Sequence, residues 1–393
     1  MRFDSLVVHA GDRKRKGGVV PSTTPINLGT TYFYDSAETL DRVFAHEEEG
    51  YSYARYNNPT LDALEELTTQ LEEGYGSLAC ASGMAALQVA IQAALTDRAP
   101  RIVASHSLYG ATVRLFDQIL APLGIETFYV DICDLDAVKK SIEDRKPGCV
   151  FLESISNPIL RVGALDQIAE FAHAAGGALV VDSTFSTPMM IQPLKLGADI
   201  VVHSATKYLA GHGDVLGGIV VSNQAHHEVV RTISRISGPV LGPFEAYLTM
   251  RGIKTLALRF TRQCENACKV ASWLKSHPKV SGVNYPADPA HPDAAVIRRL
   301  FTSGLFGAIV SFEIKDADKP AVMAFMDRLK MIVPGTSLGD VHSLLLYPVM
   351  ASHRDIAPRM RERMGIGENL VRVSAGIEAA DDIIADLDQA LMG

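Results

Sequence analysis

Between residues 101 and 222 the chain carries six short, almost continuous apolar runs, and they constrain its fold more than any other feature. They are RIVAS (101–105), ETFYV (126–130), CVFLES (149–154), ALVVD (178–182), DIVVH (199–203) and GIVVS (218–222), with helix-length stretches between them. A strand without an alternating polar face must be covered on both sides, and helical connectors allow neighbours to run parallel. The runs therefore imply an α/β protein with a parallel or mixed sheet. Sheets of this kind bind ligands beyond the carboxyl ends of their strands. The polar residues at those ends are Glu153-Ser154, Asp182 and His203-Ser204.

Helical patterns flank this region. Apolar residues at 61, 64, 67 and 71 give one face of an amphipathic helix, and GMAALQVAIQAAL (83–95) is apolar enough to be mostly buried. A long helix-like segment near Thr255–Ser276 leads out of the first unit. After it, FGAIVSFEI (306–314), a helix around 320–329, ENLVRVSAG (368–376) and a last helix from about 379 describe a smaller α/β unit. Residues 1–60 are rich in Gly, Pro, Thr and Tyr and show no strong period, which suits an arm laid on a neighbouring subunit. The expected division is an arm over 1–60, a large domain over 61–255 and a C-terminal domain over 256–393.

Composition narrows the class. Of 393 residues, 47% are hydrophobic and 21% charged, which excludes a disordered chain. The formal net charge of −8, without a Lys/Arg stripe, argues against nucleic acid or an anionic membrane as partner. The one basic cluster, Arg13 to Lys16, reads as a solvated loop. The five cysteines are scattered without zinc-ligand spacing, so no metal site is expected. No segment has about 18 uninterrupted apolar residues, and a cytoplasmic protein is the expectation.

The strongest local signal is Ser204-Ala205-Thr206-Lys207-Tyr208-Leu209-Ala210-Gly211-His212-Gly213-Asp214, directly after DIVVH. A lysine there reaches the sheet's ligand edge, and partial desolvation lowers its pKa as a Schiff-base amine requires. Ser204 and Thr206 can bond phosphate oxygens. On local grounds alone an exposed loop lysine fits as well. Asp182, ending the preceding strand, shifts the balance, since a buried carboxylate opposite a pyridine nitrogen keeps that nitrogen protonated. A cap for Ser183-Thr184 is its other reading. Ser82-Gly83-Met84 opens a helix whose N–H groups suit a phosphate. Tyr109 fits a ring-stacking residue or a turn tyrosine equally, and Asn157 ends another strand at the same edge.

Together these segments resemble the Cys/Met-metabolism family of pyridoxal 5′-phosphate (PLP) enzymes. The likeness runs from VVHAG (7–11) through YARYNNPT (53–60), ASGMAA, SLYG, ESISNP (153–158), VDSTFSTP (181–188) and SATKYLAGH to SLGD (337–340) and LVRVSAGIE (370–378). It implies the PLP-dependent transferase fold type I, like aspartate aminotransferase, in a homotetramer of two catalytic dimers. By this resemblance Lys207 forms the Schiff base and moves protons, Asp182 pairs with the pyridinium and Tyr109 stacks on the ring. Gly83, Met84, Ser204 and Thr206 hold the phosphate, and Tyr53 and Arg55 reach the phosphate of the adjacent subunit. Arg372, with Ser337 and Asn157, binds the substrate α-carboxylate, and Arg114 is a further substrate contact or a solvent-facing helix residue.

The implied reaction is γ-elimination from a sulfur amino acid such as methionine or cystathionine, with β-elimination as a further outcome. The products are 2-oxobutanoate, ammonia and a thiol. The alternative is γ-replacement, as in cystathionine γ-synthases and O-acylhomoserine sulfhydrylases. Gly211 to Asp214 and Ser337 to Asp340 resemble methionine γ-lyases. Ala111 departs from the cysteine usual there, and His342 from the acidic residue of cystathionine γ-lyases. No strand is followed by G-x-G-x-x-G, which argues against a nicotinamide enzyme.

Overall fold

The computed structural model describes every residue except 13–18, 46, 355–358, 360, 362 and 363, so the Arg13 to Lys16 cluster lies outside the described residues. Its larger sheet has seven strands, β1 (Gly76–Cys80), β2 (Arg101–Ser105), β3 (Glu126–Val130), β4 (Cys149–Glu153), β5 (Ala178–Asp182), β6 (Ile200–Ser204) and β7 (Gly218–Ser222). They lie in the order β1-β7-β6-β5-β4-β2-β3. Strands β2 to β6 pair in parallel, whereas β7 runs antiparallel to both β6 and β1. Two reversals restore direction, so the carboxyl end of β1 opens on the same edge as those of β4, β5 and β6.

All six expected strands form, four with the same bounds and the other two within one residue. β1 was not expected. Its Gly-Ser-Leu-Ala-Cys sequence lacks the β-branched residues that mark the others, and pairing with β7 supplies what local propensity does not. One face of the sheet packs Val181 and Val201 against Leu64 and Leu67 of the helix Pro59–Glu72. The other packs Val180 and Val202 against Leu87 and Ile91 of the helix Gly83–Leu95.

A second sheet holds β8 (Val280–Asn284), β9 (Ile309–Ile314), β10 (Val333–Pro334), β11 (Leu344–Leu346) and β12 (Leu370–Ser374), ordered β10-β11-β12-β9-β8. The helix Leu256–Ser276 joins the two layers. Phe260 and Cys264 on its first half belong to the large core, and Val270 and Leu274 on its second half belong to the core around β9 and β12.

The first sixty residues are less irregular than expected. They contain the helices Phe3–His9 and Ala37–Phe44, each too short to display a period in sequence. Val7 of the first is buried in the large core beside Leu64 and Leu67. Further along, Leu28 and Phe33 stay 74% and 95% exposed.

The turn after β6 is held from below. Arg259 donates through Nη2 to the carbonyls of Tyr208 at 3.0 Å and Gly252 at 2.8 Å. Gly252 lies so close to this turn that an added Cβ would stand 2.1 Å from the Ala210 carbonyl oxygen. Backbone cannot move aside as a flexible side chain can, so Gly252→Ala is expected to cost about 1–3 kcal/mol. A urea midpoint lowered at unchanged slope would show it, and an unaltered midpoint would refute the contact.

Candidate active site

Strand ends β4, β5 and β6, the start of the helix Gly83–Leu95 and the central strand of the second sheet enclose one cavity of about 210 Å³. Gly83, Met84, Tyr109, Asn157, Asp182, Ser204, Thr206, Lys207 and Arg372 all line it. The structure thus gathers nine of the expected residues from segments almost 300 positions apart.

Lys207 sits in the turn after β6, where its N–H bonds the Ser204 carbonyl at 3.1 Å and its own carbonyl accepts from Gly211 at 2.8 Å. Its Nζ donates to Ser337 Oγ at 3.0 Å. Burial, with a smaller contribution from the Arg372 charge, lowers this amine to about 8. With Lys207 as the amine that reacts with PLP, as the family resemblance implies, the neutral form is the nucleophile, and uptake by cofactor-free protein is expected to quicken up to about pH 8. The rate should rise about tenfold per pH unit below that point and level off above it. Stopped-flow absorbance measures this, and a rate flat through neutral pH would exclude the buried amine as the reacting group.

Asp182 Oδ1 accepts the Thr184 N–H at 2.9 Å. This is the local turn contact that its sequence also suggested, made while the residue lines the cavity. Burial raises its pKa, and Thr184 and the nearby His203 oppose that rise. His203 is itself buried against Glu72, with Nε2 and Oε1 2.6 Å apart.

Ser82 caps the helix Gly83–Leu95 by accepting the Ala85 N–H at 3.1 Å. The N–H groups of its first turn are left without intrahelical partners, beside the positive end of the helix dipole. A Cβ on Gly83 would meet Ser204 Cβ at 2.8 Å, so glycine lets the helix start approach the end of β6. Thr206 Oγ1 accepts the Gly217 N–H at 3.0 Å.

Opposite, Arg372 is 2% exposed. Its Nη1 donates to Asn157 Oδ1 at 2.8 Å, its Nη2 to the Ser337 carbonyl at 3.2 Å, and its buried Nε has no partner among the described residues. Tyr109 remains 44% exposed, and its backbone N–H donates to Glu153 at 2.6 Å.

Three expected residues lie elsewhere. Tyr53 and Arg55 are on the arm, where the Arg55 guanidinium stands over the Tyr53 and Tyr56 rings and donates to the Arg235 carbonyl. Arg55 lines a separate open cleft of about 1020 Å³. Arg114 ends the short helix Gly110–Arg114 on an exposed face. Sequence reasoning gave no role to Glu153, although its strand-end position matches that of Asp182. It also missed Phe185, Leu338, Leu346 and Ser352, which line the cavity from loops and a short strand without a distinguishing pattern.

The donor set suits a phosphorylated pyridine aldehyde. It combines an amine of lowered basicity, a half-buried carboxylate at the next strand end, an anion-favouring helix start and a buried guanidinium N–H with no acceptor among the described residues. Fold and cavity together define a PLP-dependent enzyme of fold type I. The chain belongs to the Cys/Met metabolism PLP-dependent enzyme family, whose profile matches residues 4–392, and PLP is its cofactor. An L-methionine gamma-lyase of Fusobacterium nucleatum subsp. polymorphum is 41% identical over 390 residues, covering 98% of this chain and 97% of that protein. An O-succinylhomoserine sulfhydrylase of Pseudomonas aeruginosa is 37% identical over 391 residues, covering 99% and 95%. The crystal structure of a cystathionine gamma-lyase from Lactobacillus plantarum superposes with a TM-score of 0.92 at 34% identity, covering 100% of this chain and 99% of that one. The protein is therefore a PLP-dependent enzyme of sulfur amino acid metabolism, within a family that includes both lyases and transferases.

Proposed function

We propose that the enzyme catalyses γ-elimination from sulfur amino acids such as methionine or cystathionine, with β-elimination as a side activity, yielding 2-oxobutanoate, ammonia and a thiol. The observation that carries this reading is the contact between Lys207 Nζ and Ser337 Oγ, with the Ser337 carbonyl bonded to Arg372. Through it, the base and the carboxylate anchor share one residue.

Bound PLP supplies an electron sink for the substrate Cα. In this reading Arg372, with Asn157 and Ser337, takes the α-carboxylate and turns the Cα hydrogen towards Lys207. An amine with its pKa near 8 both removes and returns protons at neutral pH, so Lys207 can serve Cα, Cβ and the departing thiolate in turn. Asp182 would keep the ring nitrogen protonated, and Tyr109 would cover the ring. Gly83, Met84, Ser204 and Thr206 hold the phosphate. The wall formed by Ile155, Phe185, Leu338 and Leu346 is apolar and suits a thioether chain. The exposed arm carrying Tyr53 and Arg55 meets a neighbouring subunit in a homotetramer of two catalytic dimers. Arg114 is a substrate contact made from the rim. A cytoplasmic location accompanies this reading; among the described residues no helix is long and apolar enough to cross a membrane.

Similarity to a sulfhydrylase favours γ-replacement as the second reading. The holoenzyme should be incubated with methionine, cystathionine or O-acetylhomoserine, with and without an added thiol. Release of 2-oxobutanoate from methionine or cystathionine without thiol is expected. Thioether formation from O-acetylhomoserine as the sole activity would replace elimination by transfer.

A further inference from the structure

The cavity contains a second carboxyl group, a buried one, that the roles above leave unused. Glu153 ends β4, is 8% exposed and lines the cavity together with Asp182 and Lys207. It is paired in register with Asp182 on the neighbouring parallel strand. Paired residues project from the same face of a sheet, so the two carboxyls lie side by side. Glu153 Oε1 accepts the Tyr109 backbone N–H at 2.6 Å, and the Asn157 backbone N–H is a second donor facing the group. One carboxyl thereby ties the loop after β2 to the loop after β4. Through Asn157 it also reaches Arg372.

Two adjacent carboxyls, one buried and one half-buried, hold one negative charge more readily than two. The groups facing the pair decide which keeps it. Thr184 contributes a backbone N–H and a hydroxyl to Asp182, and His203 on β6 adds positive potential there. Arg372 on β12 is the cation facing Glu153, and two of its nitrogens are bonded to Asn157 and to the Ser337 carbonyl. A protonated ring nitrogen opposite Asp182 would settle the charge on Asp182. Burial beside Asp182 pushes Glu153 well above the usual carboxylate range, which agrees with this assignment.

We propose that Glu153 is a positioning residue that remains a neutral carboxylic acid, fixing Tyr109 and Asn157 through their backbone N–H groups without placing a second negative charge beside Asp182. The inference rests on Asp182 facing the ring nitrogen and is independent of whether the enzyme eliminates or replaces.

PLP titrations into cofactor-free Glu153→Gln and Glu153→Ala, followed by absorbance across pH, test it. Glutamine keeps a neutral carbonyl acceptor, so Kd is expected to stay within about threefold of wild type, with the pH dependence of the visible band unmoved. Alanine leaves two backbone N–H groups without their acceptor and is expected to weaken Kd about tenfold or more. In the wild-type holoenzyme at neutral pH, infrared difference spectra against Glu153→Gln are expected to show a protonated carboxyl stretch that the variant lacks. That measurement decides the question even if the alanine variant fails to fold. Absence of the band, a shift of the pH profile by about one unit or more in Glu153→Gln, or a wild-type Kd in Glu153→Ala would each overturn the proposal. Asp182→Asn with an unaltered spectrum would remove its premise.

Discussion

Lys207→Ala is expected to abolish the visible absorbance of the lysine-linked cofactor and to lower turnover by about 10³-fold or more, since in the proposed role it removes both the attachment point and the acid–base group. Among the described residues lining the cavity, Lys207 is the one lysine. The variant should nevertheless fold. An amine whose pKa falls to about 8 from 10.5 on folding opposes folding wherever it is protonated. That cost is present in full below pH 8 and disappears above the unfolded value. At neutral pH it amounts to about 3 kcal/mol, set against a smaller loss of alkyl packing. Cofactor-free Lys207→Ala should therefore unfold at a urea concentration no lower than cofactor-free wild type. Lys207→Arg separates charge from nucleophilicity, because a guanidinium stays protonated and forms no imine. It is expected to be equally colourless and inactive. Turnover persisting in either variant would displace Lys207 from the chemistry.

The sheet could be read from sequence because strands buried on both faces leave an uninterrupted apolar record, as ALVVD and GIVVS do. β1 left no such record, and its place at the ligand edge follows from pairing with β7 alone. Strand-end logic led to Asp182, Asn157 and Lys207, and it pointed as strongly to Glu153. Local sequence did not reveal what faces these residues. Lys207 meets Ser337 across 130 positions, and Arg372 meets Asn157 across 215. No period or spacing encodes such pairs; the family resemblance grouped Arg372 with Asn157 and Ser337, and nothing in the sequence pointed to the contact between Lys207 and Ser337. The helices Phe3–His9 and Ala37–Phe44 escaped for another reason, since seven or eight residues span about two turns and establish no periodicity.

Arg372→Lys is expected to reduce kcat/KM by about 10²- to 10³-fold, carried mainly by KM, while the cofactor absorbance remains. The guanidinium lies under β12 against the Phe185 ring, 5.8 Å from its centroid, and burial pulls its pKa down to about 10. Its described hydrogen bonds go to neutral oxygens, the Asn157 amide and the Ser337 carbonyl, and Nε is unpaired among the described residues. A buried cation with an open N–H and no bonded carboxylate is poorly compensated until an anion arrives. In the proposed role of Arg372, a substrate α-carboxylate would supply both the charge and the acceptor, so binding would recover what folding left unsatisfied. Lysine keeps the charge, but a compact ammonium cannot hold Asn157 and Ser337 while offering a planar pair of donors to a carboxylate. Each charge-assisted bond lost is worth about 1.5–3 kcal/mol, which gives the magnitude stated. Because Lys207 and Asp182 are untouched, the spectrum distinguishes a substrate-binding defect from a cofactor defect. If kcat fell with KM unchanged, Arg372 would be acting on the chemical step instead, and the carboxylate would have to be held elsewhere in the cavity.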